Sequence, residues 1–167
     1  MCVLCLNKCL NRVENLIISK YKPQYSQAFY KLNKEWSTEF WELEKSDLHN
    51  LLNPEKSIIN LGGEIFFAIL NNEIIGTSAM IPDKKGYSYE LAKMTVHKKY
   101  RGQGVSKKLL ESCINFAISK NATEIFLISN RLLLIARKLY DKYGFQEVDL
   151  NSKKYTRGDV KMTLSLI

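Results

Sequence analysis

The sequence predicts an α/β domain, in which short strands and longer helices alternate along the chain. Three observations indicate this class: apolar stretches of strand length, amphipathic patterns of helical length, and paired glycines or asparagines at the turns between them. With 167 residues, 46% of them apolar, the chain is long enough to bury one sizeable core. We expect residues 1–12 to form an N-terminal tail and residues 13–167 to form a single domain.

The first part of the domain predicts one strand and two helices. Residues 13–19 have the composition of a strand. Residues 24–40 are predicted as a helix because apolar side chains recur there at spacings of three and four, at Ala28, Phe29, Leu32, Trp36 and Phe40. A second, short helix is expected over residues 47–52, capped by Asp47 and stopped by Asn53 and Pro54.

The rest of the chain predicts a hairpin followed by alternating elements. Gly62 and Gly63 introduce a strand, and Asn71 and Asn72 turn it into an antiparallel partner. Gly144 is expected to end the last helix in the left-handed conformation. The predicted strands are 64–70, 73–81, 87–97, 124–129 and the closing pair 145–150 and 160–167; the predicted helices are 105–120 and 132–142.

The segment Tyr100-Arg101-Gly102-Gln103-Gly104-Val105-Ser106 is built to hold an anion. Its two glycines allow a tight turn and a close approach of the backbone to a ligand. The amides of residues 102–106 then lie at a helix N-terminus, where they lack intrahelical partners and the helix dipole favours negative charge. Arg101, Lys107 and Lys108 add positive charge, so a pyrophosphate would fit there.

Two familiar phosphate loops do not match this segment. A dinucleotide fingerprint needs a third glycine where Lys107 stands, and the P-loop pattern is absent from the sequence. What remains, Arg101-x-x-Gly104-x-Ser106, resembles the acyl-CoA-binding motif [RQ]-x-x-G-x-[GA] of the GNAT superfamily of N-acetyltransferases. Ser106 departs from the family, which usually has Gly or Ala at this position.

The flanks of the motif strengthen the resemblance, which covers residues 64–167. Upstream, residues 90–96 look like the family's fourth strand, and downstream Tyr140-x-x-x-Gly144-Phe145 is similar to its second signature. Tyr155-x-Arg157 and Met162 also look like one branch of the family. The resemblance implies a mixed, mostly antiparallel sheet of about six to seven strands flanked by about four helices, and acetyl transfer from acetyl-CoA to a primary amine by direct attack in a ternary complex.

The resemblance also implies roles for individual residues. Tyr140 is the candidate general acid, because the family places this hydroxyl near the thioester sulfur. Glu90 is the candidate general base, with a half-exposed carboxylate paired to a lysine as its alternative. Asn130 either bonds the pantetheine or caps a helix. Acetyl-CoA would be held by Met94, Thr95, Val96, Arg101, Gly102, Gln103, Gly104, Val105, Ser106, Lys107 and Asn130.

The acceptor would lie against the first two helices. Glu35, Glu39, Glu42, Glu44 and Asp47 stand there with Trp36 and Trp41, and they form either an acidic and aromatic wall for an amine or a solvated face. On the first interpretation, charge reversal at Glu39 and Asp47 raises the KM for the amine and spares acetyl-CoA. His49 and His97 are expected to be solvated.

Two other functions stay open at this stage. The net charge of +8 permits nucleic-acid binding, although the six Lys and Arg against one Glu between Lys98 and Lys120 suit a polyphosphate cofactor equally. A GNAT-fold module that binds CoA without catalysis, as a sensor or a subunit, is the other alternative. The resemblance also leaves a homodimer open.

The cysteines and the short N-terminal apolar run bear on metal binding and location. Cys2, Cys5 and Cys9 form a C-x₂-C-x₃-C cluster, but a closed zinc site needs a fourth ligand, so we expect no metal. Cys113 falls on the apolar side of a helix and is expected in the core. No apolar run has the length of a membrane helix or a secretory signal, which favours the cytoplasm.

Overall fold

The protein is built around a seven-stranded sheet with the strand order β1-β2-β3-β4-β5-β7-β6. The computed structural model describes residues 13, 15–40, 42, 45–150 and 158–167. The strands are β1 (Ile17–Lys20), β2 (Glu64–Leu70), β3 (Glu73–Pro82), β4 (Ser88–Val96), β5 (Glu124–Ser129), β6 (Gln146–Val148) and β7 (Val160–Ser165). All neighbouring strands are antiparallel except β4 and β5, which are parallel.

Five α-helices accompany the sheet in the described part of the chain. They are α1 (Ser26–Phe40), α2 (Lys45–Leu52), α3 (Pro54–Ser57), α4 (Val105–Ser119) and α5 (Leu134–Lys142). None of these helices is long and apolar enough to cross a membrane. The short helix α3 is absent from the sequence prediction, because Pro54 stops α2 but is also well suited to the first position of a new helix.

The core lies on both sides of the sheet. On one side, α4 packs Leu109, Leu110 and Cys113 into the larger apolar cluster, together with strand residues such as Ile75. On the other side, Phe29 of α1 packs against strand residues of the smaller cluster, and its ring meets that of Phe67 edge to face. The two helical layers therefore hold the sheet between them.

The strands β4 and β5 separate after a short paired segment. They pair from Ser88 with Glu124 to Glu90 with Phe126, and no pairing follows although β4 continues to Val96. A parallel pair that opens in this way leaves a wedge between two strand edges in the middle of a sheet. The sequence could not predict this opening, because both strands have the composition of ordinary buried strands.

The predicted α/β fold is confirmed, with local changes at the ends of elements. The bounds of β2 and β5 agree with the prediction, and Asn71 and Asn72 adopt the positive φ values of 49° and 65° that a tight hairpin turn requires. Asp47 does not cap α2, since the helix begins at Lys45 and Asp47 lies in its first turn. The predictions for residues 1–12, Trp41, Glu44, Tyr155 and Arg157 concern residues outside the described part.

Candidate active site

A cavity of about 810 Å³ fills the wedge between β4 and β5. One end is bounded by residues 100–106, here called the glycine loop, and by the start of α4; the other end is bounded by α1 and α2. Its lining includes residues 90–96 of β4, residues 127–130 of β5 and its end, residues 104–107 of α4 and its cap, and Tyr140 of α5. The cavity thus joins the predicted phosphate loop to the predicted acceptor side through the opened sheet.

The glycine loop has the backbone needed for anion binding. Gly102 and Gly104 both adopt left-handed conformations, with φ of 74° and 81°, and Gly104 is the N-cap of α4. Open space surrounds both positions where a Cβ would stand, so only the backbone conformation disfavours other residues there. The first amides of α4 follow at once and lie beside the cavity, since Val105, Ser106 and Lys107 line it.

Arg101 serves as an anchor of this loop. Its Nε donates a hydrogen bond of 2.9 Å to the carbonyl oxygen of Val96, and its guanidinium lies 3.0 Å from the Glu39 carboxylate on α1. Glu39 therefore helps to hold the glycine loop in place. This contact does not fit the expectation that charge reversal at Glu39 leaves acetyl-CoA binding intact.

Gln103 also contributes to the shape of the loop. Its side-chain amide donates to the carbonyl oxygen of Lys99 at 3.1 Å, so the side chain folds back on the preceding turn. His97 opens that turn, and its Nδ1 accepts a hydrogen bond from the amide of Lys99. These contacts position the loop.

The cavity-facing part of β4 contains a bulge. Thr77 and Ala79 of β3 face Thr95 and Ala92 of β4, so β4 has one more residue than β3 in this interval. Lys93 within the bulge adopts φ of 53°, which is uncommon for a residue with a side chain. The predicted pantetheine contacts Met94, Thr95 and Val96 directly follow this bulge, and all three line the cavity.

Tyr140 lies on the cavity wall, buried against Phe145 with 5.7 Å between the ring centroids. Burial raises the pKa of its hydroxyl above the usual range, so this hydroxyl keeps its proton at neutral pH. Cys113 lies in the core as expected, where its Sγ is 3.2 Å from the hydroxyl of Ser78. Burial raises the pKa of this thiol to about 12, so it is protonated and a poor nucleophile.

Asn130 closes β5 and shapes the turn before α5. Its Oδ1 accepts a hydrogen bond of 2.9 Å from the amide of Leu132, and its carbonyl oxygen accepts one from the amide of Leu133. This is the arrangement of an Asx turn. The alternative that Asn130 caps a helix is wrong, because the N-cap of α5 is Leu133 and no side chain caps that helix. Asn130 also lines the cavity, so its predicted contact with pantetheine stays a prediction.

The end of the cavity beneath α1 and α2 brings together residues that are distant in sequence. Glu90 is buried there, as a candidate base should be, and Trp36 of the predicted acceptor wall lines the same end. Lys93 forms a buried ion pair with Asp47, and Ser37 lines the cavity beside α2. Lys93 and Ser37 were missed by the sequence prediction; the one available signal was a lysine within a buried strand.

No group of three or more His, Cys, Asp or Glu side chains within the described residues is arranged to hold a metal ion. The Cys2, Cys5 and Cys9 cluster lies outside those residues. His49 is exposed, in line with the expectation that it is solvated.

Comparisons with known proteins agree with this geometry. Residues 62–147 match the family model of the acetyltransferase (GNAT) domain. Human N-acetylaspartate synthetase is 29% identical over 105 residues, and rat N-acetyltransferase family 8 member 2 is 28% identical over 102 residues. These matches span 63% and 59% of this chain but only 34% and 45% of the two relatives, so the chain covers less than half of their length.

Solved structures share the fold over nearly the whole chain. A GNAT-family acetyltransferase from Staphylococcus aureus Mu50 superposes with a TM-score of 0.83 at 26% identity and covers 91% of this chain and 99% of its own. An acetyltransferase from Salmonella typhimurium, solved with acetyl-CoA, superposes with a TM-score of 0.75 at 18% identity over 92% of this chain and 95% of its own.

Proposed function

The chain belongs to the GNAT family of acetyltransferases, and on that premise we propose that it transfers an acetyl group from acetyl-CoA to a primary amine. One observation carries this proposal. The opening between β4 and β5 leads from the amides of the glycine loop to a buried carboxylate and a buried tyrosine, so one cavity joins a phosphate site to acid and base groups.

The residues along the cavity fit acetyl-CoA from its phosphates to its thioester. The amides of residues 102–106, with the charge of Lys107, suit the pyrophosphate. The strand edge at Met94, Thr95 and Val96 suits the pantetheine, which needs backbone partners along its length. A related fold was solved with acetyl-CoA, and this supports the same cosubstrate here.

The chemistry proposed at the far end is direct attack by the amine. The Glu90 carboxylate takes a proton from the ammonium form of the acceptor, and the neutral amine attacks the thioester carbonyl carbon to form the C–N bond. Collapse of the adduct breaks the C–S bond, and the leaving thiolate takes the hydroxyl proton of Tyr140. The extra proton on the new amide nitrogen then returns to the Tyr140 oxygen, and the proton on Glu90 passes to solvent.

The state of the described cysteine supports direct attack over a covalent acetyl-enzyme. Cys113 is buried in the core beneath α4, and burial raises the pKa of its thiol to about 12. A thioester intermediate needs an accessible thiolate, which this residue does not provide. Holding both substrates in one cavity is then the main source of rate, because bound partners react as if they were one molecule.

The wider expectations belong to the same proposal. The domain would span residues 13–167, and the protein would act in the cytoplasm, where the free thiol of Cys113 is in keeping with reducing conditions. A homodimer is a further expectation, and sedimentation velocity would test it. The acceptor is a small molecule or a protein; the relatives named for N-acetylaspartate support a small molecule.

The test is acetyl-CoA turnover by the purified chain with a panel of amines, followed by thiol release and by the mass of the acetylated product. We expect turnover, with initial-rate lines that intersect when both substrates are varied, as a ternary complex requires. Tight acetyl-CoA binding without turnover of any amine would indicate the non-catalytic module. Steeply salt-dependent binding to DNA or RNA, with none to acetyl-CoA, would contradict the proposal.

A further inference from the structure

The ion pair between Lys93 and Asp47 lies at the end of the cavity beneath α1 and α2. The side chain of Lys93 is 8% exposed and that of Asp47 is 2% exposed, so both charges are almost completely removed from bulk water. A buried ion pair regains little of its desolvation cost and is weak evidence for a role in stability. Its position on the wall of the cavity calls for a role in binding.

A second polar group of the same wall has no partner in the fold. The hydroxyl of Ser37 is buried, with the residue 2% exposed, and it makes no hydrogen bond with any described residue. Leaving such a hydroxyl unsatisfied destabilises the fold, unless a ligand bonds to it. Ser37 therefore provides, independently of the ion pair, an observation that points to a bound polar group at this end.

The backbone around Lys93 is held in its uncommon conformation by a buried network. The hydroxyl of Thr77 donates to the carbonyl oxygen of Lys93 at 3.0 Å, and Asn33 on α1 donates to Thr77 at 3.1 Å. A residue with a side chain is strained in the left-handed region, and such residues cluster at functional sites. The fold thus maintains strain at the residue that brings a positive charge to the cavity.

The Lys93 ammonium, paired with Asp47, and the buried Glu90 carboxylate all line this end of the cavity. The Lys93 ammonium and the Ser37 hydroxyl can donate to an anion, and the buried Glu90 carboxylate can accept from an ammonium. An acceptor with only an amine would leave the Ser37 hydroxyl without a hydrogen bond. A molecule with both an amine and a carboxylate would use all three groups.

We propose that the acceptor is a small amino acid-like molecule whose carboxylate is bound by Lys93 and Ser37, while its amine faces Glu90. This inference rests on the proposed acetyl transfer and names the substrate class of the same site. Asp47 serves as a positioning residue, because its contact with Lys93 fixes the ammonium beneath α2. Residues of α1 and α2 line this end of the cavity.

The first experiment compares acceptors that differ only in the carboxylate. Each of the twenty protein amino acids is assayed beside its carboxamide, with thiol release from acetyl-CoA as the readout. We expect at least one amino acid to exceed its carboxamide by about 100-fold in kcat/KM, in line with the loss expected when buried polar groups of a site are left unpaired.

Variants of the ion pair then test the residues. Lys93→Met alone leaves Asp47 buried without its cation and can fail to fold, so the informative variant is Lys93→Met with Asp47→Leu, since apolar replacement of a buried pair is often tolerated. We expect its preference for the amino acid to fall below about threefold through a higher KM, with the KM for acetyl-CoA unchanged. Ser37→Ala should reduce the preference in part. Glu55→Leu with Lys56→Met, exposed on α3, is the matched control.

The outcomes separate this inference from the proposed function. Equal rates with amino acids and carboxamides, or an unchanged preference in the double variant, would overturn the inference and leave acetyl transfer in place. Turnover of other amines in the panel but of neither class here would overturn the inference and leave acetyl transfer in place. Absence of turnover with every amine of the panel would overturn the proposed function, and the inference would fall with it.

Discussion

At the scale of single residues, the proposed role of Tyr140 as general acid gives the most direct chemical prediction. Tyr140→Phe keeps the ring that packs against Phe145 and removes only the hydroxyl, so acetyl-CoA affinity should change little. A general acid contributes roughly 10²–10⁴-fold, and we expect kcat to fall by about 100-fold in steady-state assays. Tyr143→Phe, which loses a hydrogen bond to Glu111 of α4 and does not line the cavity, is the control. An unchanged kcat in Tyr140→Phe would contradict the role of Tyr140 as general acid.

The raised pKa of Tyr140 also predicts how stability depends on pH. The pKa of Tyr140 in the folded protein lies above the unfolded value of about 10. The contribution of this group to the free energy of unfolding is therefore complete below pH 10 and is lost as the pH rises further. The free energy of unfolding of the wild type should therefore fall more steeply above about pH 10 than that of Tyr140→Phe. Urea titrations at stepwise pH measure this difference; parallel curves would show that the hydroxyl is not buried in solution.

Gly104 offers a test of the phosphate loop with a matched control. Gly104 and Gly86 have φ of 81° and 77°, and open space surrounds the position that a Cβ would take at each, so alanine imposes the same strain of about 1–2 kcal/mol at both. We expect Gly104→Ala to weaken acetyl-CoA binding by about tenfold in a calorimetric titration, because the strain falls on the loop. Gly86→Ala should lower the stability of the protein without changing its affinity for acetyl-CoA. Equal affinities in the two variants would contradict the role of the loop.

At the scale of elements, the bulge of β4 links stability to acceptor binding. Thr77→Val removes the donor to the Lys93 carbonyl oxygen, and an unsatisfied buried group costs about 1–3 kcal/mol. We expect that loss in urea unfolding, together with a lower kcat/KM for the acceptor and little change in acetyl-CoA affinity. Thr38→Val, on the exposed face of α1, is the matched control. A variant with wild-type acceptor kinetics would show that the bulge does not position the site.

The elements also show where sequence reasoning succeeds. The strand β2 and its hairpin turn were predictable because its apolar composition and the two asparagines are local signals. The opening between β4 and β5 was not, since pairing between parallel strands depends on partners more than 30 residues apart. The start of β1 at Ile17, four residues after the predicted Val13, reflects the same dependence on a partner strand.

At the scale of the whole molecule, the two ends of the cavity differ in how the chain builds them. The glycine loop and the start of α4 form one continuous segment, residues 100–107. Its glycines and basic side chains could therefore be recognised from the sequence alone. The proposed acceptor end joins Ser37 of α1, Asp47 of α2 and Lys93 of β4, which only tertiary packing brings together. The same packing places the Glu39 carboxylate against Arg101, a contact that the sequence did not predict.

In this arrangement, part of the net charge of +8 lies beside the cavity. Lys107 lies beside the cavity at the start of α4, while Arg101 is held by Glu39 and the Val96 carbonyl oxygen. Positive charge is thus joined to helix amides at one end of a deep cavity, which suits a polyphosphate substrate with an extended arm. A nucleic-acid backbone would need no such cavity.

The most direct test of acetyl-CoA binding in this cavity is a calorimetric titration of acetyl-CoA into the wild type and Ser106→Glu at fixed salt. An acidic residue in the first turn of α4 favours the helix by about 0.3–1 kcal/mol, so the variant should fold at least as well as the wild type. We predict one-to-one micromolar binding to the wild type and to Asn115→Glu, the control on the exposed face of α4, and none to Ser106→Glu. No binding to the folded wild type, or equal binding to Ser106→Glu, would contradict acetyl-CoA binding at this loop.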